Sequence, residues 1–356
     1  MSSEKIDLGA LNKYIIRRDV GIGKIVSAKK FDHGQSNPTF LLTDIDAKRY
    51  VLRKKPDGVL MSKTAHAVER EFRIIDALCR NTSVPVPKAY LLCTDTSVIG
   101  TPFYVMEFLD GRIFVDPAMA GVGASEKPLY LQEMVRVLAQ LHAVDFKSVG
   151  LDGYGKEGGY YQRQCKSLVK VHDSQAEAVD TVTGTRVGPL PNFYKVTHYL
   201  QMNHCPDDIS IIHGDYKVDN VVFHKSLPKI IGILDWELST IGNPRTDLAN
   251  MTQNIALPSV SSGLSSIGDI NAPFDINSGF NNSILKQYCS LTGFDFPLPG
   301  WKYANIFSFY RNSVIYHGIA ARVARGQASS KRASTVAKYG PISIMRSFKL
   351  INSSNL

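Results

Sequence analysis

The stretch HGDYKVDN, residues 213–220, places an imidazole, a glycine, two carboxylates, a lysine and an amide between two apolar runs. The runs are ISII before it and VVFH after it, and both have the length of short buried strands. A third apolar run, KIIGILDWE at 229–237, carries Asp235 near its end. The pattern predicts a hairpin in which a polar loop from Asp215 to Asn220 is followed, one strand later, by a further carboxylate.

These side chains form the minimal set for phosphoryl transfer. Asp215 is suited to orient and deprotonate a hydroxyl, while Asn220 and Asp235 are suited to hold Mg²⁺ against phosphate groups. The reaction asks little more of a protein than positioning and neutralisation of charge. The order is HxD, then Asn five residues after the Asp, then a strand that ends in Asp. It is the order of protein kinases, with Gly214 in place of their arginine.

The rest of the sequence predicts a small antiparallel sheet followed by helices, and the protein-kinase order of the motif indicates an α+β, bilobal, protein-kinase-like fold. The first hundred residues contain runs of strand length and one helical segment over 65–80, capped by Thr64, which predicts a small antiparallel sheet carrying a helix. A mostly helical pattern follows, beginning with a helix capped by Ser125. We expect an N-terminal nucleotide-binding lobe over 1–108 that includes an N-terminal helix, a helical lobe with the catalytic loop and substrate site over 109–350, and a flexible tail over 351–356.

Composition excludes several classes of protein. The 356 residues are 44% hydrophobic and 21% charged, as in ordinary globular proteins. No apolar run reaches the roughly 18 residues of a membrane span, so no membrane partner is expected. The N-terminal MSSEKIDLGALNKY has acidic residues and no apolar core, so secretion is not expected. The five cysteines stand singly without a CxxC pair, which predicts reduced thiols rather than a metal site.

The net charge of +9 is concentrated near the C-terminus. Residues 296–356 contain no Asp or Glu, and they contain nine basic residues: Lys302, Arg311, Arg322, Arg325, Lys331, Arg332, Lys338, Arg346 and Lys349. These side chains either cover solvated helix faces or form an anion-binding wall. No basic stripe interleaved with aromatic residues accompanies them, so nucleic acid is not an expected partner.

Eight stretches resemble the aminoglycoside phosphotransferase and choline kinase superfamily, and above all the kinase domain found in acyl-CoA dehydrogenase family members ten and eleven. They are HGQSNPTFLL (33–42), YVLRKKPDG (50–58), REFRIIDAL (70–78), YVMEFLDGR (104–112), GYYQRQ (159–164), HGDYKVDN (213–220), ILDWELSTIGNPRTDLA (233–249) and GIAARVARGQASS (318–330). They spread over roughly residues 20–335, and no dehydrogenase portion is expected in this chain. The resemblance implies a kinase that uses ATP and Mg²⁺.

The resemblance assigns roles residue by residue. It implies that Asp215 is the catalytic base and that Asn220 and Asp235 are the Mg²⁺ ligands. It also implies that Glu71 pairs with a cation on the third strand, which contacts the α and β phosphates of ATP. Arg53 stands at the position of the family's lysine, and Lys55 shares its side of the strand. We predict Arg53, whose planar fork suits both carboxylate and phosphate, and Lys55 is the alternative.

Further positions follow from the same resemblance. Ser36 and Asn37 stand where a glycine-rich loop would cover the phosphates, and they are predicted to donate hydrogen bonds there; an ordinary hairpin turn is the alternative. Backbone groups of Glu107 and Phe108 are expected to meet the adenine at the hinge between the lobes. Asp247, in GNPRTDLA, is expected to brace the catalytic loop through hydrogen bonds.

Two residues near these motifs have competing interpretations. Lys217, inside the quoted loop, either contacts the γ-phosphate or faces solvent. His142 belongs to the buried stripe of its helix, and we expect a hydrogen-bonded core histidine rather than a catalytic one.

The substrate is predicted to be a small hydroxyl compound with an anionic group, because the basic tract suits an anion better than a cationic antibiotic. The resemblance implies a 4-hydroxyacyl-CoA or a related hydroxy acid. The candidates for binding its anionic end are Arg163, Arg322 and Arg325. A group of tyrosines either lines an acyl channel or packs in the core: Tyr160, Tyr161, Tyr310 and Tyr316.

Alternatives stay open for both function and location. One is a kinase for another hydroxyl compound, such as an aminoglycoside or choline-like acceptor. Another is a nucleotide-binding pseudokinase, which the arginine at position 53 suggests. The C-terminal SNL differs by one residue from the peroxisomal address SKL, so either the cytoplasm or the peroxisome is predicted. Oligomeric state and the role of the Ser- and Gly-rich loop over 258–280 are not encoded in any pattern.

Overall fold

The computed structural model describes residues 6–31, 37–56, 67–256, 275–276, 278–328 and 332–353. Four of the sequence predictions lie wholly or mostly outside these residues: those on Ser36, on the cap Thr64, on the 258–280 loop and on the terminal SNL. The chain divides into two compact units, each of which is discontinuous in sequence. The first consists of Met1–Ile113, Asp145–Asp152 and Asn220–Ser239, and the second of Phe114–Val144, Gly153–Asp219 and Thr240–Leu356.

A five-stranded antiparallel sheet forms the centre of the first unit, with the strand order β1-β2-β3-β5-β4. Its strands are β1 (Ile25–Lys30), β2 (Thr39–Asp44), β3 (Arg49–Lys54), β4 (Ala89–Cys93) and β5 (Phe103–Glu107). Two helices accompany the sheet, α1 (Leu8–Arg18) and α2 (Val68–Asn81). The predicted antiparallel sheet is therefore present, and α2 matches the helix predicted over 65–80.

The two faces of this sheet bury different sets of side chains. One face, which includes Tyr50 and Leu52 of β3, packs in a single cluster with Leu11 and Ile15 of α1. Because successive side chains of a strand point to opposite faces, Arg53 of β3 points away from that cluster. The charged side chain of Arg53 therefore lies on the opposite face of the sheet, where it can contact α2.

A second hairpin belongs to the same unit. Its strands β7 (Val221–Phe223) and β8 (Ile230–Ile233) are antiparallel, as the sequence predicted. Phe223 also bridges to Arg112, and a Cβ atom on Gly111 would lie 2.3 Å from the Phe223 carbonyl oxygen, so only glycine fits there. These contacts join the hairpin to the first unit. The predicted division into lobes over 1–108 and 109–350 stays a prediction.

The second unit is mainly helical. Its helices are α3 (Lys127–His142), α4 (Tyr160–Ala176), α5 (Phe193–Met202), α6 (Arg245–Ala256), α7 (Gly279–Thr292), α8 (Trp301–Ala324), α9 (Ala333–Ala337) and α10 (Tyr339–Asn352). Two short strands, β6 (Ser210–Ile212) and β9 (Thr240–Gly242), pair in antiparallel fashion. The long helix α8 packs against α4, α5, α6, α9 and α10 and is buried along most of its length.

Two helix predictions differ from the structure. Helix α3 begins at Lys127 with Glu126 at the N-cap and no side-chain capping bond, so the predicted cap Ser125 is wrong. Pro128 in the first turn lacks an N–H, which leaves fewer donors for a cap to satisfy. Helix α4 was not predicted, because its apolar residues are few and it follows Gly159 in the left-handed region. Within the part of the chain that the structure describes, no helix combines the length and apolar character needed to cross a membrane.

Candidate active site

Arg53 is the centre of a charged cluster in the first unit. Its Nε lies 3.1 Å from Glu71 Oε2, and its Nη2 lies 2.7 Å from Asp235 Oδ1 and 3.3 Å from Glu237 Oε2. The side chain of Arg53 is 12% exposed. Burial opposes its charge, but the surrounding carboxylates prevail and raise the pKa of Arg53 above the ordinary value. One guanidinium thus forms ion pairs with carboxylates from α2 and from the segment after β8.

Glu71 is held by two further donors. Asn37 Nδ2 donates to Glu71 Oε1 at 2.7 Å, and the Tyr104 hydroxyl donates to Oε2 at 3.0 Å. Burial raises the pKa of Glu71 to about 7, with repulsion from Asp235 adding to the effect and Arg53 opposing it. Asn37 was predicted to donate to phosphate, but its buried amide donates within the protein.

Lys55 occupies the rim rather than the centre of this cluster. Its Nζ lies 2.6 Å from Glu69 Oε1, and both side chains are partly exposed. The sequence left Arg53 and Lys55 open as the partner of Glu71, and the structure pairs Glu71 with Arg53. Contact of Arg53 with phosphate remains a prediction.

Asp235 and Asn220 lie in the same unit and are linked through the backbone. Asp235 follows β8 with φ 65° and ψ 60°, a left-handed conformation that Asp and Asn tolerate better than most residues. The Leu234 N–H donates to the Asn220 carbonyl oxygen at 2.8 Å, which brings Asn220 beside the residue that precedes Asp235. The side chain of Asp235 is 37% exposed, so its carboxylate is accessible to an ion.

This pair suits Mg²⁺, which prefers oxygen ligands and is usually held by one or two protein groups together with substrate phosphates. Asn220 and Asp235 supply an amide oxygen and a carboxylate. No group of three or more His, Cys, Asp or Glu side chains that could hold a metal occurs among the described residues. The oxygen donors of Asn220 and Asp235 fit Mg²⁺, and their role as its ligands stays a prediction.

Asp215 lies in the second unit, in a loop after β6 that turns at Gly214, whose φ is 83°. The Asp215 N–H donates to His213 Nδ1 at 3.2 Å, which ties the start of the loop together. Asn250 Nδ2 lies 3.5 Å from Asp215 Oδ1. The Asp215 side chain is 29% exposed, so the carboxylate is positioned by its neighbours and still accessible to a hydroxyl.

Lys217 lies between two carboxylates. Its Nζ is 3.3 Å from Asp215 Oδ2 and 3.3 Å from Asp219 Oδ2. Burial disfavours the ammonium, but the two carboxylates outweigh it and raise the pKa of Lys217. Lys217 therefore does not simply face solvent, and the proposed contact with the γ-phosphate stays a prediction.

Asp247 braces the loop that contains Asp215, as predicted. Its carboxylate is buried and accepts hydrogen bonds from the backbone N–H groups of His213, at 2.6 Å, and Gly214, at 2.8 Å. His142 Nε2 lies 3.4 Å from Asp247 Oδ2, while His142 Nδ1 is 2.7 Å from the Tyr288 hydroxyl. Although burial opposes ionisation, His142 and the amide of His213 hold the pKa of Asp247 below its usual range. His142 is thus the hydrogen-bonded core histidine that the sequence indicated.

The two predicted hinge residues lie at the end of the sheet. Glu107 is the last residue of β5, and its carboxylate accepts a hydrogen bond from the Lys88 N–H at 3.1 Å. The Phe108 ring lies under the Arg49 guanidinium, with 4.2 Å between Cζ and the ring centroid. Contact of their backbone groups with adenine remains a prediction.

The three arginines predicted for the substrate do not form one cluster. Helices α4 and α8 lie side by side, with Tyr160 against Phe307 at one end and Gln175 bonded to His317 at the other. Arg163 lies in the first turn of α4, where it donates to the carbonyl oxygens of Lys156 and Gly158. Arg322 and Arg325 are exposed at the far end of α8. The structure therefore separates Arg163 from the other two.

Most of the candidate tyrosines pack in the core. Tyr160, Tyr161 and Tyr310 are at most 5% exposed, and the rings of Tyr161 and Phe307 are 4.7 Å apart. Tyr316 differs, because it is only half-buried; burial raises the pKa of its phenol above the ordinary value.

Sequence reasoning missed several members of these clusters, namely Glu237, Tyr104 and Asn250. Glu237 stands two residues after Asp235 in the quoted DWE, so its position could have marked it. Tyr104 is paired in register with Arg53 across β3 and β5, which only strand pairing reveals. Asn250 is one helical turn after Asp247 on α6, a spacing that places both on one face.

Comparison with known proteins gives consistent results. A model of the phosphotransferase enzyme family matches residues 27–263. An Arabidopsis thaliana protein assigned as acyl-CoA dehydrogenase IBR3 is 38% identical over 315 residues, which are 85% of this chain and 37% of that protein. Acyl-CoA dehydrogenase family member 11 of Gallus gallus is 36% identical over 341 residues, 94% of this chain and 42% of its own length. The chain thus spans less than half the length of these relatives.

A solved structure is similar over the whole length. A Ralstonia eutropha protein assigned as an aminoglycoside phosphotransferase has 34% sequence identity and a TM-score of 0.80, and the match covers 99% of this chain and 100% of the other. The predicted α+β, kinase-like fold is confirmed by this match.

Proposed function

The chain belongs to the phosphotransferase enzyme family, and from that premise we propose that it transfers the γ-phosphoryl group of ATP to the hydroxyl of a 4-hydroxyacyl-CoA or a related hydroxy acid. The coarser part of this statement follows from the family and the fold: the protein is a kinase that uses ATP and an alcohol acceptor. The identity of the acceptor and the residue roles below are the proposal.

Asp215 is proposed to act as the catalytic base. Its carboxylate is partly exposed, and the Lys217 ammonium, 3.3 Å away, balances its charge. Asp247 accepts hydrogen bonds from the two backbone N–H groups that precede Asp215, and these bonds limit the movement of the base. A positioned carboxylate of this kind can orient a substrate hydroxyl and accept its proton as the phosphoryl group is transferred.

Arg53 is proposed to bind the phosphates of ATP, with Glu71 holding it in place. Glu71 fixes one edge of the guanidinium, and Asn37 and Tyr104 fix Glu71. Asn220 and Asp235 would hold Mg²⁺, which supplies neutralisation of phosphate charge when it is bound. Arg53 then adds a permanent positive charge to the same region.

The single observation that favours an active kinase over the pseudokinase alternative is the buried pair of Arg53 and Glu71. The pseudokinase alternative rested on the replacement of the family's lysine at position 53. In the structure this arginine makes the expected ion pair with the helix glutamate, and it also reaches Asp235. The replacement therefore leaves the pairing intact and gives no reason to infer loss of catalysis.

The acceptor is inferred from two observations. The relatives are named as acyl-CoA dehydrogenases. In them the matched region is therefore part of a longer protein that is named for acyl-CoA chemistry. The last 61 residues carry basic side chains and no acidic ones, which disfavours a polycationic antibiotic. The second candidate, an aminoglycoside or choline-like acceptor, is supported by the assignment of the Ralstonia eutropha protein.

Measurement of ADP release separates these candidates. We expect turnover with Mg²⁺, ATP and a 4-hydroxyacyl-CoA or the free hydroxy acid, and none with choline or kanamycin. The Asp215→Asn variant is the control for background hydrolysis. Turnover of kanamycin or choline in preference to the hydroxyacyl compounds would reject the proposed acceptor, and ATP binding without turnover of any acceptor would favour the pseudokinase.

A further inference from the structure

The cluster around Arg53 contains more carboxylates than its one cation can balance. Glu71, Asp235 and Glu237 all lie within 3.3 Å of the guanidinium. Burial raises the pKa of Glu71 to about 7, and repulsion from Asp235 and Glu237 contributes to the increase. A cation from outside the chain would therefore be attracted to this cluster.

The three carboxylates differ in their access to such a cation. Glu71 is buried, and Asn37 and Tyr104 donate hydrogen bonds to its two oxygen atoms. The side chains of Asp235 and Glu237 are 37% and 24% exposed. Glu71 is therefore enclosed within the protein, whereas Asp235 and Glu237 can each meet a ligand from solvent.

Arg53 uses separate nitrogen atoms for the buried carboxylate and the accessible ones. Its Nε faces Glu71, while its Nη2 donates to Asp235 Oδ1 at 2.7 Å and to Glu237 Oε2 at 3.3 Å. An Nη2 group carries two N–H bonds, so it can donate to both oxygen atoms at once. Loss of one of these two contacts would leave the other in place.

The backbone on both sides of Glu237 is fixed by hydrogen bonds. The Trp236 side chain is buried, and its Nε1 donates to the Ile233 carbonyl oxygen at 3.0 Å. The Ser239 carbonyl oxygen accepts a hydrogen bond from Arg70 Nη2 at 3.1 Å. The segment is thus attached to β8 on one side and to α2 on the other, so the Glu237 carboxylate starts from a fixed position.

Asp235 has two competing uses for its carboxylate. It contacts Arg53, and it is also the proposed ligand of Mg²⁺. A carboxylate that binds Mg²⁺ has to meet a strict octahedral geometry at short distances, so Asp235 would adjust its position to the metal. Such an adjustment weakens the contact of Asp235 with Arg53. Glu237 then remains as an acceptor for Arg53 Nη2.

We propose that Glu237 is a positioning residue for Arg53, which retains Nη2 when Asp235 binds Mg²⁺ with ATP, and that Glu237 does not itself bind the metal. This inference rests on the proposed function and names the residue that keeps the guanidinium directed at the phosphates. The observed contact between Glu237 and Arg53 supports it. A direct bond from Glu237 to the metal is the competing explanation, because its carboxylate is accessible.

Calorimetry with ATP tests the proposal and requires neither an acceptor nor turnover. Glu237→Gln keeps the size of the side chain and removes its charge. With Mg²⁺ present, we expect the affinity for ATP to fall about tenfold, the lower end of what a hydrogen bond between charged groups contributes. In EDTA the affinity should equal that of wild type, because Asp235 then still holds Arg53. Glu69→Gln, which breaks the neighbouring pair with Lys55, is the matched control and should change neither affinity.

The Arg53→Lys background distinguishes positioning from metal binding. Lysine presents a single nitrogen, so it cannot hold Glu71 and Glu237 on separate nitrogen atoms as arginine does. Because Glu237 acts through Arg53, Glu237→Gln should lower the affinity for ATP with Mg²⁺ in the wild-type background and not in Arg53→Lys. Equal losses in both backgrounds would overturn the proposal, and so would the absence of a loss in either.

A second measurement does not depend on the folding of Arg53→Lys. Mn²⁺ bound with ATP relaxes the protons of the water molecules that it coordinates, and loss of a protein ligand admits another water molecule. We expect equal water relaxation in wild type and in Glu237→Ala, and faster relaxation in Glu237→Ala would overturn the proposal. Both measurements are independent of turnover, so support for Glu237 together with no phosphorylation of any acceptor would reject the proposed function alone.

Discussion

Arg53 and Glu71 form a buried ion pair, with Arg53 Nε 3.1 Å from Glu71 Oε2. The Arg53 guanidinium also forms ion pairs with Asp235 and Glu237, so one cation contacts three carboxylates. Removing the cation would leave these carboxylates without compensation, which is more costly than removing an ion pair as a whole.

We therefore expect Arg53→Met to destabilise the protein by about 3–5 kcal/mol, as loss of one partner from a buried pair does. The matched control is Lys55→Met, which breaks the partly exposed pair with Glu69 and should cost less than about 1 kcal/mol. Urea unfolding of both variants measures the difference. Equal stability losses would show that Lys55 shares the role assigned to Arg53.

Asp215→Asn should lower kcat by about 10²- to 10⁴-fold, because it removes the base and keeps the size of the side chain. ATP affinity should stay close to wild type, since Asp215 is proposed to act on the hydroxyl and not on the nucleotide. Steady-state kinetics and calorimetry with ATP and Mg²⁺ check the two parts separately. A variant with near-normal kcat would exclude Asp215 as the base.

Asp235→Asn tests the metal site without disturbing the backbone. Asp235 has φ 65°, a conformation that Asn adopts more readily than Ala does. We expect the affinity for ATP in the presence of Mg²⁺ to fall by more than about tenfold, since even outer-shell partners of metal sites contribute about 10- to 100-fold. Affinity for ATP in EDTA should not fall. The same Mg²⁺ dependence in the variant and in wild type would argue against Asp235 as a ligand.

Two stacked histidines in the second unit predict a loss of stability in acid. The rings of His172 and His317 have centroids 5.0 Å apart, and the Leu190 N–H donates to His172 Nε2 at 3.1 Å. Burial lowers the pKa of both histidines below the ordinary 6.5, although Asp173 opposes this for His172. Their neutral forms stabilise the fold fully above pH 6.5, and this contribution is lost as pH falls through the lowered pKa values.

The melting temperature of wild type should accordingly fall between pH 7 and pH 5. The double variant His172→Gln and His317→Gln keeps hydrogen-bonding groups and removes the titration, so its decrease should be smaller. Glu71 acts in the opposite direction, because its raised pKa makes the fold more stable as pH falls from about 7. Glu71 is present in both proteins, so it does not affect the difference between their melting temperatures. Parallel curves for both proteins would rule out the histidine contribution.

The elements that carry the chemistry were predictable because each depends on a local pattern. Alternation along β3 predicted that Arg53 and Lys55 share a side, and the structure shows both paired with glutamates of α2. The hairpin of β7 and β8, residues 221–233, followed from apolar runs bounded by polar residues. Such patterns act over a few residues and therefore appear in the sequence itself.

What the sequence did not reveal depends on tertiary contacts. Helix α4 has too few apolar residues for a clear period, and it is buried through aromatic contacts such as that of Tyr161 with Phe307. Arg346 looked like one more basic residue of the C-terminal tract, since only the packing of α10 on α8 removes it from water. Arg322 and Arg325 were predicted from the basic tract, and Arg163 from a motif. The position of a charged residue in the sequence does not determine whether its side chain is buried.

The hydrogen bonds of Asp247 also determine how the loop before Asp215 opens. Its fully buried carboxylate takes the N–H groups of His213 and Gly214, two consecutive peptide groups immediately before Asp215. Neither peptide can exchange its hydrogen with water unless α6 separates from the loop. In a hydrogen–deuterium experiment, residues 213 and 214 should exchange slowly and together with α6, so the proposed base is attached to one of the last segments to open.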